Sequence, residues 1–271
     1  MTDQSKTICK AVIPAAGLGK RLFPITKVLP KEMYPIGNYP AIEWVVAEAI
    51  ASGCKEVAVI IGPQKSMIED YLTAYCPALS RSCQMSFIIQ PEPLGFAHAL
   101  ILAKDFAAGQ PVAVLLPDDL CAYERPPILQ MRDIFEGYVS AVFSMVEDRV
   151  SGRWGRDSWH LRKVKKNEYL LEKYRTKINT ASEKLFLVGI GRYILPPLFI
   201  TYSEKALNAK FEGELDDGTI FDEMITNGEP ILGCRINARR FDISTVDGYL
   251  AAWRYFGNRN PLDVYLRTRK K

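Results

Sequence analysis

The sequence predicts an α/β protein with a Rossmann-like, doubly wound, mixed but mostly parallel sheet, and two observations support this. Apolar runs rich in valine, isoleucine and leucine recur through the first half, with amphipathic stretches between them. Such runs are typical of strands buried on both faces of a parallel sheet, and helices between them give βαβ units. The length of 271 residues and a hydrophobic fraction of 48% suit one large domain with a sizeable core.

The elements of the first half alternate in order along the chain. Continuous apolar runs predict strands at 10–14, 56–62, 84–90, 111–117 and 140–146. Apolar residues at helical spacing predict helices at 41–52, 64–74, 96–107 and 127–137. We therefore expect parallel neighbouring strands joined by helices.

The second half is less regular. Residues 151–184 are polar and rich in lysine and arginine, which predicts loops and short strands. Beyond them the pattern predicts strands at 185–195 and 231–237, and helices at 196–207, 219–227 and 246–257. Since no linker or repeat divides the chain, we predict one domain over 1–271, with halves at about 8–147 and 148–271.

Composition excludes several classes of function. The net charge of +4 is mild and spread out, so the basic residues 267–271 predict a solubilising tail and no nucleic-acid partner. No apolar run approaches the ~20 residues that span a bilayer, and the N-terminus lacks a signal-peptide pattern. This predicts a soluble cytoplasmic protein without a membrane partner. Six cysteines without a C-x-x-C pair, and only two histidines, argue against a zinc site or a Ser-His-Asp triad.

The first predicted strand opens into a glycine loop that carries cations, A-A-G-L-G-K-R at 15–21. Glycine lets backbone N–H groups approach a ligand closely, while Arg21 and Lys31 supply positive charge for phosphates. A P-loop would need serine or threonine where Arg21 stands, and the dinucleotide fingerprint would need glycine at Leu22. The loop therefore predicts a nucleotide site of another kind.

The segments G-L-G-K-R and P-K-E-M-Y-P, at 17–21 and 30–35, resemble the signature of sugar-nucleotide pyrophosphorylases. They are most similar to the bacterial UTP–glucose-1-phosphate uridylyltransferase family. The resemblance implies a nucleotide-diphospho-sugar transferase fold, with a smaller sugar-binding half. It also implies that the loop packs the nucleotide, that Arg21 clamps the triphosphate and that Lys31 approaches the same phosphates. The nucleotide-binding residues so implied are Ala15, Ala16, Gly17, Gly19 and Glu32, and Lys20 replaces the family's usual threonine.

Gln90 and Gly95 form the next motif, directly after the strand at 84–90. A glutamine amide offers a donor and an acceptor, which suits the edge of a uracil or thymine ring, and Gly95 allows close backbone approach. The spacing resembles the pyrimidine-reading Q-x-x-x-x-G of uridylyl- and thymidylyltransferases. His98 is interpreted as a helix-face residue rather than a catalyst.

Asp118 and Asp119 follow the strand at 111–117. A carboxylate at the end of a buried strand needs a partner, and Mg²⁺ favours hard oxygen ligands that it shares with phosphates. The resemblance implies that Asp118 holds Mg²⁺ and that Asp242 completes its binding. Asp119 has the alternative role of capping the following turn.

Three weaker matches imply the sugar-binding residues. Glu172-Lys173 resembles a V-E-K-P motif that holds the sugar hydroxyls and the sugar phosphate, and Gly155 belongs to an aromatic-glycine pair. The chain departs from the family pattern in three places, which are Tyr174 for the proline, Leu215-Asp216-Asp217, and Asp242-Ile243-Ser244.

The resemblance implies one reaction, in which UTP and α-D-glucose 1-phosphate give UDP-glucose and pyrophosphate by Mg²⁺-dependent in-line attack. The catalytic residues it implies are Arg21, Lys31 and Lys173. Two alternatives stay open: transfer from dTTP or to another sugar 1-phosphate, and a non-catalytic sugar-nucleotide-binding protein on the same fold. Family members commonly form dimers or tetramers, so we expect a homo-oligomer.

Overall fold

The computed structural model describes residues 8–135, 141–149, 157–177, 185–209 and 213–266. Its strands are β1 Lys10–Pro14, β2 Pro35–Ile36, β3 Tyr39–Pro40, β4 Glu56–Ile61, β5 Gln84–Ile89, β6 Val112–Leu115, β7 Asp119–Ala122, β8 Ala141–Arg149, β9 Asp157–Lys163, β10 Glu168–Lys177, β11 Leu185–Leu195, β12 Ile231–Arg235 and β13 Arg239–Asp242. Its α-helices are α1 Ala41–Ala51, α2 Ser66–Ala74, α3 Pro77–Ser80, α4 Phe96–Leu102, α5 Lys104–Ala107, α6 Pro127–Arg132, α7 Pro197–Asn208, α8 Asp217–Thr226, α9 Val246–Phe256 and α10 Pro261–Leu266.

Nine of these strands form one mixed sheet in the order β5-β4-β1-β6-β11-β8-β12-β10-β9. The first four are parallel neighbours, and β8 and β12 also pair in parallel. Strand β11 runs antiparallel between β6 and β8, and β10 runs antiparallel between β12 and β9. Within this sheet all strands except β10 and β11 therefore point the same way, and the mostly parallel sheet confirms the predicted α/β class.

Helices cover both faces of the sheet, because alternate strand residues point to opposite sides. In β1, Ala11 and Ile13 join a core with α1, α2 and α9, whereas Val12 joins a second core with α4, α7 and α8. Trp44 is fully buried in the first core and contacts the rings of Phe256 and Tyr265. This two-sided burial explains why the strands are continuous apolar runs.

The carboxyl ends of β1, β4, β5 and β6 meet at one edge of the sheet. Backbone hydrogen bonds continue slightly beyond the strands, from Ala15 N to Ile60 O at 2.7 Å and from Gln90 N to Ile61 O at 2.8 Å. Open α/β sheets bind ligands beyond this edge. A ligand site is therefore expected at the loops that leave the four strands.

Several predicted elements differ from the structure in length. The helix expected at 96–107 is divided at Ala103 into α4 and α5, and the one expected at 127–137 is described as Pro127–Arg132. Residues 151–184 contain β9 and β10, which are longer than the short strands predicted there. The short pair β7–β13 and the helix α10 were not predicted, because tertiary pairing rather than periodicity forms them.

Two further observations concern the whole described chain. Its six cysteines are all free thiols. Within the ranges given above, no helix is both long and apolar enough to cross a membrane.

Candidate active site

A cavity of about 340 Å³ opens at the carboxyl edge of the sheet. Its wall combines the glycine loop after β1, the segment after β5, the turn after β6 and Glu214 from the second half. The residues that line it are Pro14, Ala16, Gly17, Leu18, Gly19, Lys20, Arg21, Lys31, Gln90, Pro93, Gly95, Phe96, Ala99, Leu116, Asp118 and Glu214.

The glycine loop changes from buried to exposed within a few residues. Ala15 and Ala16 are buried, whereas Gly17 and Arg21 are exposed. Gly19 adopts a φ of 62°, in the left-handed region where glycine has no steric penalty, and its carbonyl accepts a 2.9 Å hydrogen bond from the Thr26 hydroxyl. The loop thus presents backbone and the Arg21 guanidinium to the cavity.

Lys65 holds the glycine loop from beneath. Its ammonium nitrogen Nζ donates to Ala15 O at 2.6 Å, to Gly17 O at 2.7 Å and to Glu32 Oε2 at 2.8 Å. An ammonium has three donors, and all three are used. Lys65 was not predicted as a site residue, although its position four residues after the carboxyl end of β4 was an available signal.

Glu32 lies behind the cavity wall and supports the glycine loop indirectly, through its pair with Lys65. Its side chain is fully buried and pairs with Lys65, and the second carboxylate oxygen, Oε1, has no hydrogen-bond partner among the described residues. Burial raises the pKa of Glu32 in spite of the neighbouring Lys65 and Lys31. Burial likewise lowers the pKa of Lys65, against the attraction of Glu32. Glu32 is therefore placed to support the loop through Lys65.

Lys31 and Asp118 face each other in the cavity wall. Lys31 Nζ lies 2.5 Å from Asp118 Oδ2, and both side chains are mostly buried. Burial by itself would raise the pKa of Asp118, but the Lys31 charge and hydrogen bond hold this pKa below its ordinary value. Asp118 is accordingly kept ionised, the form that binds cations.

The side chain of Asp119 bonds to neighbouring strands rather than capping the turn that follows it. Its Oδ2 accepts a 2.9 Å hydrogen bond from Gly191 N, and its Oδ1 accepts a 2.6 Å hydrogen bond from Arg240 Nε. The carboxylate is buried, so pairing with Arg240 is what makes its position tolerable. Asp119 thereby links β7 to β11 and β13.

Asp242 lies at the end of β13, next to the same turn. It pairs with Asp119 in the β7–β13 ladder, and Ile243 N donates to Asp118 O at 2.9 Å. Its Oδ1 accepts hydrogen bonds of 3.0 Å and 2.5 Å from the backbone and the hydroxyl of Ser244. The backbone pairing therefore brings the segments of Asp118 and Asp242 together.

The acidic residues suit a metal that is shared with a substrate. Across the described ranges, no group of three or more His, Cys, Asp or Glu side chains could hold a metal ion. Mg²⁺ needs only one or two carboxylates when phosphates and water complete its shell. Asp118 and Asp242 fit that donor set.

Gln90 and Gly95 meet at the cavity, as their spacing suggested. Gln90 Nε2 donates to Gly95 O at 3.1 Å and lies 3.0 Å from Nδ1 of His98. Gly95 has a φ of 102°, and a Cβ there would lie 2.6 Å from the backbone nitrogen of Leu215. Glycine is therefore required at this position.

The backbone of Leu215 holds the Gly95 segment on both sides. Leu215 N donates to Leu94 O at 2.8 Å, and Ala97 N donates to Leu215 O at 3.0 Å. Leu215 belongs to the second half of the chain, and its side chain is buried in the core. The second half thus supports the segment that carries Gln90.

Two of the predicted sugar-binding residues, Glu172 and Lys173, do not line the cavity. Glu172 and Lys173 are exposed on β10, and Glu172 Oε1 accepts a 2.7 Å hydrogen bond from Arg162 Nε. Trp154 and Gly155 lie outside the described residues. Most residues predicted to bind the nucleotide and its metal line the cavity, whereas Ala15, Glu32 and Asp242 are not part of its lining.

One ion pair crosses the mouth of the cavity. Lys20 Nζ lies 3.5 Å from Glu214 Oε1, and both side chains are 65% exposed. Lys20 belongs to the glycine loop, and Glu214 lies directly before Leu215. Glu214 was not predicted, because only the fold brings it to the loop.

Comparisons with known proteins point to one family. The model of the nucleotidyl transferase family matches residues 10–258. A UTP–glucose-1-phosphate uridylyltransferase of Bacillus subtilis is 28% identical over 267 residues, covering 90% of this chain and 89% of that protein. A protein of the same name from Mycoplasma pneumoniae is 31% identical over 271 residues, covering 90% and 91%.

Solved structures agree with these relatives. A UDP-glucose pyrophosphorylase complexed with UDP-glucose superimposes with a TM-score of 0.77 at 27% identity, covering 92% of this chain and 98% of that one. An apo UDP-glucose pyrophosphorylase gives a TM-score of 0.78 at 26% identity, with the same coverage.

Proposed function

Because the chain belongs to the nucleotidyl transferase family, we propose that it converts UTP and α-D-glucose 1-phosphate into UDP-glucose and pyrophosphate. The named relatives support this reaction. The observation that carries the proposal is one cavity lined by Arg21, Lys31, Gln90 and Asp118, which lie in the segments after β1, β5 and β6. These side chains match a base, a polyphosphate and a cation.

In the proposed reaction an oxygen of the sugar phosphate attacks the α-phosphorus of UTP. The new P–O bond forms while the bond from the α-phosphorus to the bridging oxygen breaks, and pyrophosphate leaves with the electron pair. Two anionic groups must approach each other, so catalysis depends mainly on positioning and charge neutralisation.

Arg21 and Lys31 are proposed to bind and orient the phosphates of UTP. Arg21 lies at the end of the exposed glycine loop, where its guanidinium can reach a flexible polyphosphate. Lys31 lies deeper and also keeps Asp118 ionised. Positive charge is thus supplied at two depths of one cavity.

Asp118 and Asp242 are the residues proposed to hold Mg²⁺. When bound, Mg²⁺ supplies charge neutralisation for the phosphate oxygens. Arg240 and Ser244 orient Asp242, and Arg240 also holds Asp119 beside it. These contacts keep the acidic side chains in place before a ligand arrives.

Glu172, Lys173 and Gly155 are proposed to bind the sugar phosphate. Their support is the sequence resemblance of the second half, together with named relatives that act on glucose 1-phosphate. The Lys173→Ala variant tests this role for the chain.

A second candidate uses dTTP or another sugar 1-phosphate. The position of Gln90 in the cavity lining is compatible with dTTP, because uracil and thymine present the same ring edge to an amide. The non-catalytic alternative is not favoured, since the family and the named relatives are transferases.

A cytoplasmic homo-oligomer, either a dimer or a tetramer, is part of the same proposal. Val246, Leu250 and Trp253 form an exposed apolar stripe on α9, at exposures of 68%, 42% and 47%, which a second copy could cover. Light scattering after size exclusion gives the mass directly. A monomer would contradict this part of the proposal.

The deciding experiment measures pyrophosphate release with Mg²⁺ and glucose 1-phosphate, with UTP, dTTP, CTP, ATP and GTP offered in parallel. Release that is fastest with UTP supports the proposal, whereas release that is fastest with dTTP supports the second candidate. If there is no release, other sugar 1-phosphates are offered with the same nucleotides. If none of these gives release either, the proposed function is wrong.

Two variants test the assigned residues. Asp118→Asn and Lys173→Ala should each lower kcat/KM on the order of 10²-fold, the scale for losing one fixed electrostatic contact. Asp70→Asn and Lys55→Ala, at exposed positions outside the cavity, are the matched controls. Near-normal rates for both test variants would contradict the assignment.

A further inference from the structure

The orientation of the Gln90 side chain is held by two contacts. Gln90 is 4% exposed, and its amide nitrogen Nε2 has two hydrogens to donate. Gly95 O lies 3.1 Å from this nitrogen and His98 Nδ1 lies 3.0 Å from it. Both hydrogens therefore have an acceptor on the protein.

The Gly95 carbonyl determines which end of the amide faces inward. A carbonyl oxygen can only accept, so a rotated amide would bring its own oxygen against Gly95 O. With nitrogen facing inward, His98 receives the second hydrogen, and its Nδ1 must be unprotonated. The neutral His98 ring accordingly carries its proton on Nε2.

The Gln90 carbonyl oxygen Oε1 is left for the ligand. None of the described residues donates a hydrogen bond to Oε1. The structure also contains buried side-chain oxygens and nitrogens that lack a hydrogen-bond partner, but Oε1 is not among them, so it remains accessible. Gln90 lines the cavity, while His98 does not. A ligand in the cavity therefore meets a hydrogen-bond acceptor, the Oε1 atom of Gln90.

We propose that His98 is a positioning residue which, together with Gly95, locks Gln90 as an acceptor and thereby selects uracil or thymine over cytosine. The inference rests on the proposed function, in which the cavity binds a pyrimidine nucleotide. Uracil and thymine carry a hydrogen on ring nitrogen N3, which Oε1 can accept. Cytosine has a lone pair on N3, so two acceptors would oppose each other.

His98 is needed because Gly95 satisfies only one of the two amide hydrogens. Without His98 the second hydrogen is buried and unpaired, which favours rotation of the amide about its side chain. His98 lies on α4 between the buried Ala97 and Ala99, so its ring is anchored by a packed helix. The lock therefore combines a helix side chain with a loop carbonyl.

The test compares kcat/KM for UTP and CTP in the wild type, His98→Leu and His98→Gln. His98→Leu removes the acceptor, and we expect the preference for UTP to fall about five- to tenfold, mainly through a higher KM for UTP. Glutamine can accept through its own amide oxygen, so His98→Gln should recover most of the preference. His160→Gln replaces the exposed histidine on β9 and should leave the ratio unchanged.

A spectroscopic measurement tests the lock without turnover. The chain has only two histidines, so ¹⁵N-labelled imidazoles give two sets of signals, which His160→Gln assigns. We expect neutral His98 to carry its proton on Nε2. A proton on Nδ1 would overturn the proposal.

The outcomes separate this inference from the proposed function. An active wild type with an unchanged ratio in His98→Leu, or with equal use of UTP and CTP, overturns the role of His98 and leaves the reaction intact. If the wild type shows no turnover, the proposed function fails. In that case the ratio of the Kd values for CTP and UTP measures the preference, and its loss in His98→Leu still supports the lock.

Discussion

Lys65 is a single residue on which the shape of the nucleotide loop depends. Its three donors hold two loop carbonyls and the carboxylate of Glu32, and it is itself buried. A buried charge pair gains little net stability, but removal of one partner leaves the other charge uncompensated. Stability and loop geometry are therefore coupled through one ammonium group.

Lys65→Met should lower the free energy of unfolding by about 3–5 kcal/mol, because Glu32 is left as an unpaired buried charge. Adding Glu32→Gln should recover part of this loss. The KM for UTP should stay raised in both variants, since the carbonyls of Ala15 and Gly17 still lack their donor. Urea unfolding and steady-state kinetics give the two readouts, and a double variant with normal KM would contradict the role of Lys65 in the loop.

Lys20 places an exposed positive charge at the mouth of the cavity, where we expect it to attract the phosphates of UTP. Its exposed ion pair with Glu214 contributes little to stability, so Lys20→Thr should change the free energy of unfolding by less than about 0.5 kcal/mol. The KM for UTP should rise a few-fold at low ionic strength, and this effect should shrink with added salt because an exposed charge is screened.

The matched control is Lys104→Thr, since Lys104 forms a similar surface pair with Glu204 outside the cavity. An equal rise in KM for both variants would show that the effect is general charge rather than contact with the phosphates.

At the scale of elements, Arg192 on β11 fastens helix α1 to the turn that carries Asp118. The guanidinium is fully buried and pairs in a bidentate manner with Glu48 of α1, at 2.6 Å and 2.8 Å. It also donates to the carbonyls of Leu116, Asp119 and Gly191. All five of its N–H groups are used, which ties a helix, a strand and a turn together.

Arg192→Lys should destabilise the fold by about 3–5 kcal/mol, because an ammonium cannot reproduce the planar fork and leaves buried carbonyls without donors. Arg125→Lys is the matched control, since Arg125 forms an exposed bidentate pair with Asp133 and should lose less than about 1 kcal/mol. Chemical denaturation measures both variants. Similar losses would contradict the assigned importance of the buried fork.

Local sequence could identify those site residues that follow strands directly. The glycine loop, Gln90 and Asp118 each come after an apolar run, and the rule that ligands bind beyond strand ends placed them together. Lys65 obeys the same rule but lacks a motif around it. Glu214 could not be assigned to the cavity, and His98 could not be assigned as a partner of Gln90, because these contacts depend on how the second half and α4 pack.

The same limit applies to the elements themselves. The strands of the first half were predictable, because burial on both faces makes them continuous apolar runs. The β9–β10 hairpin has polar sequence, and its length reflects the pairing of the two strands with each other, which continues beyond the three residues of β10 that pair with β12. Pairing partners of this kind are a property of the whole sheet.

At the scale of the whole molecule, the two predicted halves share one sheet. Strand β8, which begins in the first half and ends at the boundary, lies between β11 and β12, which both come from the second half. Arg192 of the second half also neutralises the buried Glu48 of the first. The halves are therefore expected to unfold together.

A fragment of residues 8–147 should not unfold cooperatively, because β8 would lack both neighbours and Glu48 would be buried without its partner. The full chain should show one transition in circular dichroism during urea titration. A cooperative transition for the fragment would contradict a single folding unit.

The backbone bonds of Leu215 have a consequence for how the sequence can diverge. They hold the Gly95 segment through main-chain atoms, which any residue other than proline possesses. Natural variation at 215 is then limited only by the apolar core around its side chain, whereas Gly95 has no acceptable substitute. The departure from the family pattern at Leu215 therefore leaves both hydrogen bonds to the Gly95 segment in place, whereas the next residue, Asp216, is tied by its side chain to the start of α8.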